Sequence, residues 1–325
     1  MLEKNHIYSI IRKAFPGSKI RSFHRSPVAQ VNWVYKVQLN DPDRAVIVRV
    51  SPEHHPWKTE KEKKIYKLLS KVDVPVPDFL HVDSSKKIIP HNYQIMECLP
   101  GERLRTVIEK FPHEKDKLYF ELGKTLGKIH SVKLDKFGWI HSEQEHMPAK
   151  SDSWKEVFML MCIDELLEIS QPKFLELAPY IKDYIDFNQH LLDIDVAPQL
   201  LHNDFFIDNI LMHNSGNKWE ISGIIDFEWA FAGHNEFEIA KVISQMLLDY
   251  PSHEYKPEAK GFFRGYRKYS RISRDFEKRR PLYTLHHLLH WANHCTRNRQ
   301  RCLEAGIKVD EVMGYFYSDI RDILK

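Results

Sequence analysis

Apolar residues at Ile7, Ile10 and Ile11 recur at helical spacing and predict a helix over residues 5–15. The pattern then changes to β-rich runs over 31–39 and 44–50. The turn-forming Asn40-Asp41-Pro42-Asp43 between them predicts an antiparallel hairpin. Residues 59–71 are charged, with an apolar stripe at Ile65, Leu68 and Leu69, and predict a helix that Val74-Pro75-Val76-Pro77 ends. A second hairpin is predicted from 79–82 and 93–99, around a polar turn near 84–87.

After Pro100-Gly101 the pattern becomes mainly helical. Leu118, Leu122, Leu126 and Ile129 predict a buried helix that runs to His130, and 154–169 predicts another. A β-containing island spans 200–226, with a turn at Asn214-Ser215-Gly216-Asn217. Ile239, Val242, Ile243, Met246 and Leu247 then mark one face of a further helix, and the remainder to Lys325 is helical in pattern. The expected class is α+β: a small strand-rich N-terminal lobe over 1–99, a hinge near 97–101, and a larger, mainly helical lobe over 100–325.

Composition narrows the class without naming a chemistry. At 325 residues the chain is long enough for two lobes with hydrophobic cores, and its net charge of +3 does not argue for nucleic acid or membrane binding. No stretch approaches the roughly 20 apolar residues of a membrane span. The N-terminal segment lacks the apolar block of a signal peptide. Cys98, Cys162, Cys295 and Cys302 are scattered and form no CxxC pair, which suits reduced thiols in a cytoplasmic protein.

The densest cluster of reactive groups is Leu200-Leu201-His202-Asn203-Asp204-Phe205-Phe206-Ile207-Asp208-Asn209. Seventeen residues after Asn209, a strand-like run over 221–225 delivers Asp226, followed by Phe227 and Glu228. Phosphoryl transfer from ATP asks for a carboxylate at the acceptor hydroxyl and for hard oxygen ligands that hold magnesium against the phosphates. A carboxylate, an amide five residues on and a second carboxylate at a strand end are the right groups for that work.

HNDFFIDN followed by IIDFEWAFAGHNEFEIA resembles the signature of the aminoglycoside phosphotransferase and choline kinase superfamily, which shares the protein-kinase fold. VIVRV, EKKIYKLL with VPVP after it, YQIMECLPGERL and LGKTLGKIHS follow in the family's order, so the resemblance covers most of residues 25–250. It implies a bilobal protein-kinase-like fold, with a nucleotide-binding lobe over 1–99 and a catalytic and substrate-binding lobe over 100–325. It further implies ATP (or GTP) and Mg2+ as cofactors, Asp204 as catalytic base, and Asn209 and Asp226 as magnesium ligands. His202 and Glu238 read as structural, Glu238 capping loop amides, and Asp208 as a solvated loop residue. Glu228 is a candidate for a second metal or the substrate.

Arg49 stands where a protein kinase carries its phosphate-binding lysine, with Glu62 as its expected partner and Glu60 as the alternative. The segment Ser26-Pro27-Val28-Ala29-Gln30-Val31-Asn32 has no glycine, so Ser26 and Asn32 are the polar groups expected to face phosphate. Residues 93–101 resemble the family's hinge, where adenine would bond the Glu97 carbonyl and the Leu99 amide behind Met96.

The expected acceptor is a hydroxylated small molecule: an aminoglycoside-like antibiotic, with resistance as its consequence, an amino alcohol, or a sugar. A polycationic acceptor would call on Asp164, Glu165, Glu168 and Glu236, whereas Trp229 and Trp291, read first as core residues, could wall a choline-type one. Against a polycation, residues 256–301 hold thirteen Lys or Arg and only three Asp or Glu. His286, His290 and His294 recur at i, i+4 and i+8, a pattern read as a helix lining the cleft or core rather than as a metal site. The alternatives are a nucleotide-binding pseudokinase, a choline- or ethanolamine-type kinase and a protein kinase, the last opposed by the lack of a long activation loop. A monomer or homodimer without nucleic-acid or membrane partners completes the expectation.

Overall fold

Alternating apolar and polar positions build the first sheet. In the computed structural model, which describes residues 3–26, 32–51, 56–140, 150–216, 218–249 and 252–325, helix α1 (Lys4–Ala14) precedes strands β1 (Ile20–Arg25), β2 (Trp33–Asn40) and β3 (Asp43–Ser51). Helix α2 (Pro56–Leu69) and strands β4 (Phe79–Asp83) and β5 (Asn92–Glu97) follow. The five strands form one antiparallel sheet in the order β1-β2-β3-β5-β4. Both predicted hairpins are present, and Asn40 pairs with Asp43 across the expected turn. Val37 and Leu39 on β2, Val46, Val48 and Val50 on β3, and Ile95 on β5 are buried in one cluster with Ile7, Ile10 and Ile11 of α1. The amphipathic stripe read in the first helix is therefore the lid on this side of the sheet.

Contacts divide the chain into two units, Met1–Lys110 with Ile207–Glu228, and Phe111–Phe206 with Trp229–Lys325. The N-terminal part of the first unit ends in strand β6 (Glu102–Arg103) and helix α3 (Leu104–Lys110). The second unit begins with helices α4 (Lys115–Ser131), α5 (Trp154–Leu167) and α6 (Pro172–Asn188) and strand β7 (Gln199–Leu201). The chain then returns to the first unit as the hairpin β8 (Ile210–Asn214) and β9 (Trp219–Ile224), which forms a sheet in the order β6-β8-β9. Of the turn predicted there, Asn217 lies outside the described residues.

Close approach fastens this returning hairpin to the chain after β5. Gly101 has φ +105, and a Cβ on it would meet the Met212 carbonyl, so glycine is required both by conformation and by space. Gly223 lies against the Leu99 side chain, and Ser222 Oγ donates to the Pro100 carbonyl at 2.5 Å.

The rest of the second unit comprises strand β10 (Phe231–Gly233), which pairs with β7, and helices α7 (Asn235–Val242), α8 (Ala259–Tyr266), α9 (Phe276–Arg297), α10 (Arg299–Glu304) and α11 (Val309–Ile323). Its core is aromatic: Trp154 on α5 packs edge-on against Phe237 of α7 and Tyr283 of α9, and Trp154 Nε1 donates to the Tyr283 hydroxyl at 3.0 Å. Helices α4 and α8 cross at glycines, Gly123 facing the Phe262 carbonyl and Gly265 the Phe120 carbonyl. The α+β class and the division into an antiparallel N-terminal sheet and a mostly helical C-terminal part are as expected. Among the described residues no helix is long and apolar enough to cross a membrane, and all four cysteines are free thiols.

Candidate active site

In the first unit, Arg49 lies on β3, a strand flanked on both sides by partners, so its side chain leaves the sheet in a buried setting. Arg49 Nη1 donates to Glu62 Oε1 at 3.2 Å and Nη2 to Glu62 Oε2, a two-armed pair between β3 and α2. Gln94 is the cross-strand neighbour of Arg49 on β5 and turns its amide oxygen to the same guanidinium. Burial works against the charge of Arg49, but the Glu62 carboxylate holds the guanidinium protonated well above the ordinary arginine range. Glu60, the alternative partner, pairs instead with Lys63 at the surface at 3.0 Å.

Asn209 and Asp226 flank the same hairpin. Ile210 pairs with Ile224, and Ile225 N donates to the Asn209 carbonyl at 3.0 Å, so one ladder step brings Asn209 beside the residue before Asp226. Asp226 has φ 71, a left-handed backbone rarely adopted by a residue with a side chain. Immediately after it, Phe227 packs edge-on against Tyr66 of α2 with ring centroids 5.7 Å apart. Lys61 Nζ donates to the Glu228 carbonyl, and Lys58 Nζ lies 3.9 Å from the Glu228 carboxylate. Burial draws the Lys61 ammonium down to about 8, against the opposing charges of Glu62 and Glu228.

The residues read as an adenine and phosphate contact set also fall in this unit. Met96 is buried in β5, and Glu97 N donates to the Asp78 carbonyl at 2.9 Å. Ser26 N donates to the Val34 carbonyl at 2.7 Å, and Asn32 immediately precedes β2. The glycine-free segment between them, 27–31, lies outside the described residues. Asp208 departs from the solvated reading: Arg105 grips its carboxylate with two arms, Nε to Oδ1 at 2.8 Å and Nη2 to Oδ2 at 2.6 Å. Arg103 Nη1 donates to the Asp208 carbonyl at 2.8 Å.

In the second unit, β7 delivers the loop that carries Asp204. Glu238, buried at 1 % exposure on α7, accepts from the backbone amides of His202 at 3.0 Å and Asn203 at 2.5 Å. One carboxylate thus caps two consecutive loop amides, as its sequence position suggested. His130 on α4 places Nε2 2.8 Å from Glu238 Oε2 and Nδ1 2.7 Å from the Tyr266 hydroxyl on α8. Burial pushes the Glu238 carboxyl up, but the His130 contact and the loop amides outweigh it and hold its pKa low. Asn203 adopts φ 62, and its carbonyl accepts from the buried Lys241 Nζ. Asp204 N donates to His202 Nδ1 at 3.2 Å, and Phe206 N to the Asp204 carbonyl at 2.9 Å. The loop backbone leading into Asp204 is therefore fastened by buried polar groups.

The acceptor candidates lie in the second unit too. Glu236 is buried and taken by Arg279 Nε at 2.9 Å and Ser273 N at 2.7 Å. Glu165 meets His290 Nδ1 at 2.6 Å and Asn293 Nδ2 at 2.8 Å. Burial raises the Glu165 carboxyl, yet His290, His286 and Asn293 bring it down to about 2. Asp164 and Glu168 are both exposed, and Glu168 pairs with Arg297. Among the described residues, six of the thirteen cations in 256–301 have ion-pair partners: Arg264 with Asp116, Lys278 with Asp275, Arg279 with Glu236, Arg280 with Glu277, Arg297 with Glu168 and Arg299 with Asp310. The basic run is thus far less bare than its composition suggests. Trp229 is 44 % exposed, so the core reading fails for it. His286 and His290 stack with rings 4° from parallel, and among the described residues no group of three His, Cys, Asp or Glu is placed to hold a metal ion.

Sequence reasoning missed His130, Lys61, Lys241 and Gln94. His130, Lys61 and Lys241 act through a distant carboxylate or a backbone carbonyl and Gln94 through a guanidinium on the neighbouring strand, and spacing along the chain carries no trace of such partners.

The phosphotransferase enzyme family matches residues 29–282. Among curated proteins, the acyl-CoA dehydrogenase family member 11 of Rattus norvegicus is 26 % identical over 196 residues, which cover 58 % of this chain and 23 % of that protein. The chain thus spans about a quarter of that relative's length. Among solved structures, aminoglycoside phosphotransferase APH(4)-Ia superposes with a TM-score of 0.71 at 12 % identity, over 99 % of this chain and 98 % of that one. A thermostable mutant of the same enzyme, in a ternary complex with AMP-PNP and hygromycin B, superposes with a TM-score of 0.68 at 13 % identity, over 97 % and 96 % of the two chains. At such identities the likeness speaks for the fold alone.

Proposed function

The chain belongs to the phosphotransferase enzyme family, and from that premise we propose that it transfers the γ-phosphate of ATP to a hydroxyl of a small molecule. Asp204 serves as the base that accepts or orients the hydroxyl proton. Asn209 and Asp226 are the ligands of a magnesium ion, which when bound neutralises the charge of the phosphate oxygens. Arg49, held by Glu62, contacts the phosphates. The adenine lies against Met96 and bonds the backbone at Glu97 and Leu99, while Ser26 and Asn32 supply polar groups in place of a glycine turn.

The observation that carries this reading is the ladder step between Ile225 and Asn209, which brings Asn209 beside the residue before Asp226 at the end of one hairpin. Asn209 and Asp226 both offer oxygen, the donor type that magnesium prefers, so the residues present suit the ion. The fastened loop at Asp204 supports the role of a base. A general base has to be held in place before the hydroxyl arrives, and Glu238 and Lys241 hold the preceding backbone.

For the acceptor, a hydroxylated compound of low positive charge fits better than a polycation. Glu165 and Glu236 are buried and committed to partners of their own, and Glu168, though exposed, is paired with Arg297. The complex of APH(4)-Ia with hygromycin B keeps amino sugars in the panel. The test is magnesium-dependent ADP release in the presence of sugars, amino alcohols and aminoglycosides. Turnover with any of them bears the reading out. Nucleotide binding without turnover across the whole panel would replace it with a binding module.

A further inference from the structure

Helix α2 holds the chain directly after Asp226 at three points. Lys58 reaches the Glu228 carboxylate, Lys61 the Glu228 carbonyl, and Tyr66 the ring of Phe227. Lys58 and Lys61, three residues apart, are neighbours on the helix surface, and Tyr66 lies further along the same helix. The same helix carries Glu62, whose carboxylate fixes Arg49. Lys61 is 1 % exposed where it bonds the Glu228 carbonyl, and a lysine ammonium is seldom taken so far from water.

Asp226 gives that bond a purpose. Its φ of 71 is a conformation that persists only where the surroundings over-determine it. A hydrogen bond to the carbonyl two residues downstream restrains the rotations that would let Asp226 relax. We propose that Lys61 is a positioning residue for Asp226: by holding the Glu228 carbonyl, it sets the carboxylate of Asp226 and ties that setting to the helix that also orients Arg49. The inference rests on the functional reading above, in which Asp226 is a magnesium ligand. Nothing in it requires Lys61 to touch nucleotide or metal.

The test compares wild type with Lys61→Met, which keeps the length and apolar stem of the side chain and removes its donor. Nucleotide affinity is measured by calorimetry with ADP in EDTA and across a magnesium titration, beside a thermal melt. Groups that orient a metal ligand without touching the ion change its affinity by about 10- to 100-fold when removed. The expected result is therefore a half-saturating magnesium concentration raised at least about tenfold, with ADP affinity in EDTA unchanged. A role confined to packing would lower the melting temperature and leave the magnesium requirement where it was, and that outcome overturns the proposal. If Lys61→Met does not fold, Lys61→Gln, shorter and uncharged, is judged by the same titration. Failure of the functional reading looks different: wild type itself would then show no magnesium-dependent gain in nucleotide affinity, and both proposals would fall together.

Discussion

Arg49 and Glu62 meet out of reach of water, at 8 % and 1 % exposure. Removing one partner of such a pair strands the other as a buried charge and costs about 3–5 kcal/mol. Glu62→Ala is accordingly expected to lower the unfolding free energy, read from urea melts, by that order and to weaken nucleotide binding, because Arg49 loses the partner that aims it. A variant as stable as wild type would mean that water or Gln94 replaces the carboxylate. Asp204 and Asp226 should separate cleanly in kinetics. Asp204→Ala is expected to abolish transfer while nucleotide still binds, and Asp226→Ala to raise the dissociation constant of the magnesium–nucleotide complex; wild-type turnover in Asp204→Ala would remove it from the role of base. These residues could be read from the chain because they sit in a dense, ordered string. Lys61 could not, since its acceptor is a main-chain oxygen 167 residues away and any residue could have supplied it.

Helices α4 and α8 approach so closely that main chain faces main chain. A Cβ at position 123 would collide with the Phe262 carbonyl, an atom that cannot swing aside as a side chain could. Gly123→Ala is therefore expected to destabilise the protein by about 1–3 kcal/mol through overpacking, against the small gain alanine brings to an isolated helix. Thermal melts decide the sign, and a stabilised variant would show that the crossing yields. Elements of this kind also mark where the pattern could be read. The hairpin of β2 and β3 was visible because Tyr35, Val37 and Leu39 alternate with polar neighbours and a turn sequence follows. Strand β1 was not, since its only inward residues, Ile20 and Phe23, stand three apart and imitate no strand period. Strand β10, Phe231-Ala232-Gly233, is buried throughout and too short to show any period.

Acid stability belongs to the molecule as a whole. Burial brings His234 and His286 of the second unit down to about 4 each. An unfolded chain protonates both below about 6.5 while the folded one does not, so the unfolded state binds more protons between these values and stability rises with pH across that window. Taking the protein from pH 7 to pH 5 is expected to cost up to about 2 kcal/mol per histidine. Glu165 plays no part there: its lowered pKa contributes stability that is complete above its ordinary value near 4.5 and is lost only as pH falls from there toward about 2. Melting temperatures at pH 7, 6 and 5 check the slope, and a flat series would contradict it. At this scale the sequence conveyed the order of sheet and helices, but not that residues 207–228 leave the segment before them to join the first unit. Partners distant in the chain, such as Arg105 for Asp208 and Leu99 for Gly223, make that choice.

That return has a consequence for descent. The chain passes from one unit to the other after Lys110, Phe206 and Glu228, so no single crossover between two related genes swaps one unit intact. A recombinant joined at residue 110 would set one parent's β6 against the other parent's β8, and one parent's Gly101 beneath a foreign Met212. Drift within 207–228 should therefore keep step with residues 99–105, across a hundred intervening positions, more closely than with its immediate neighbours on either side.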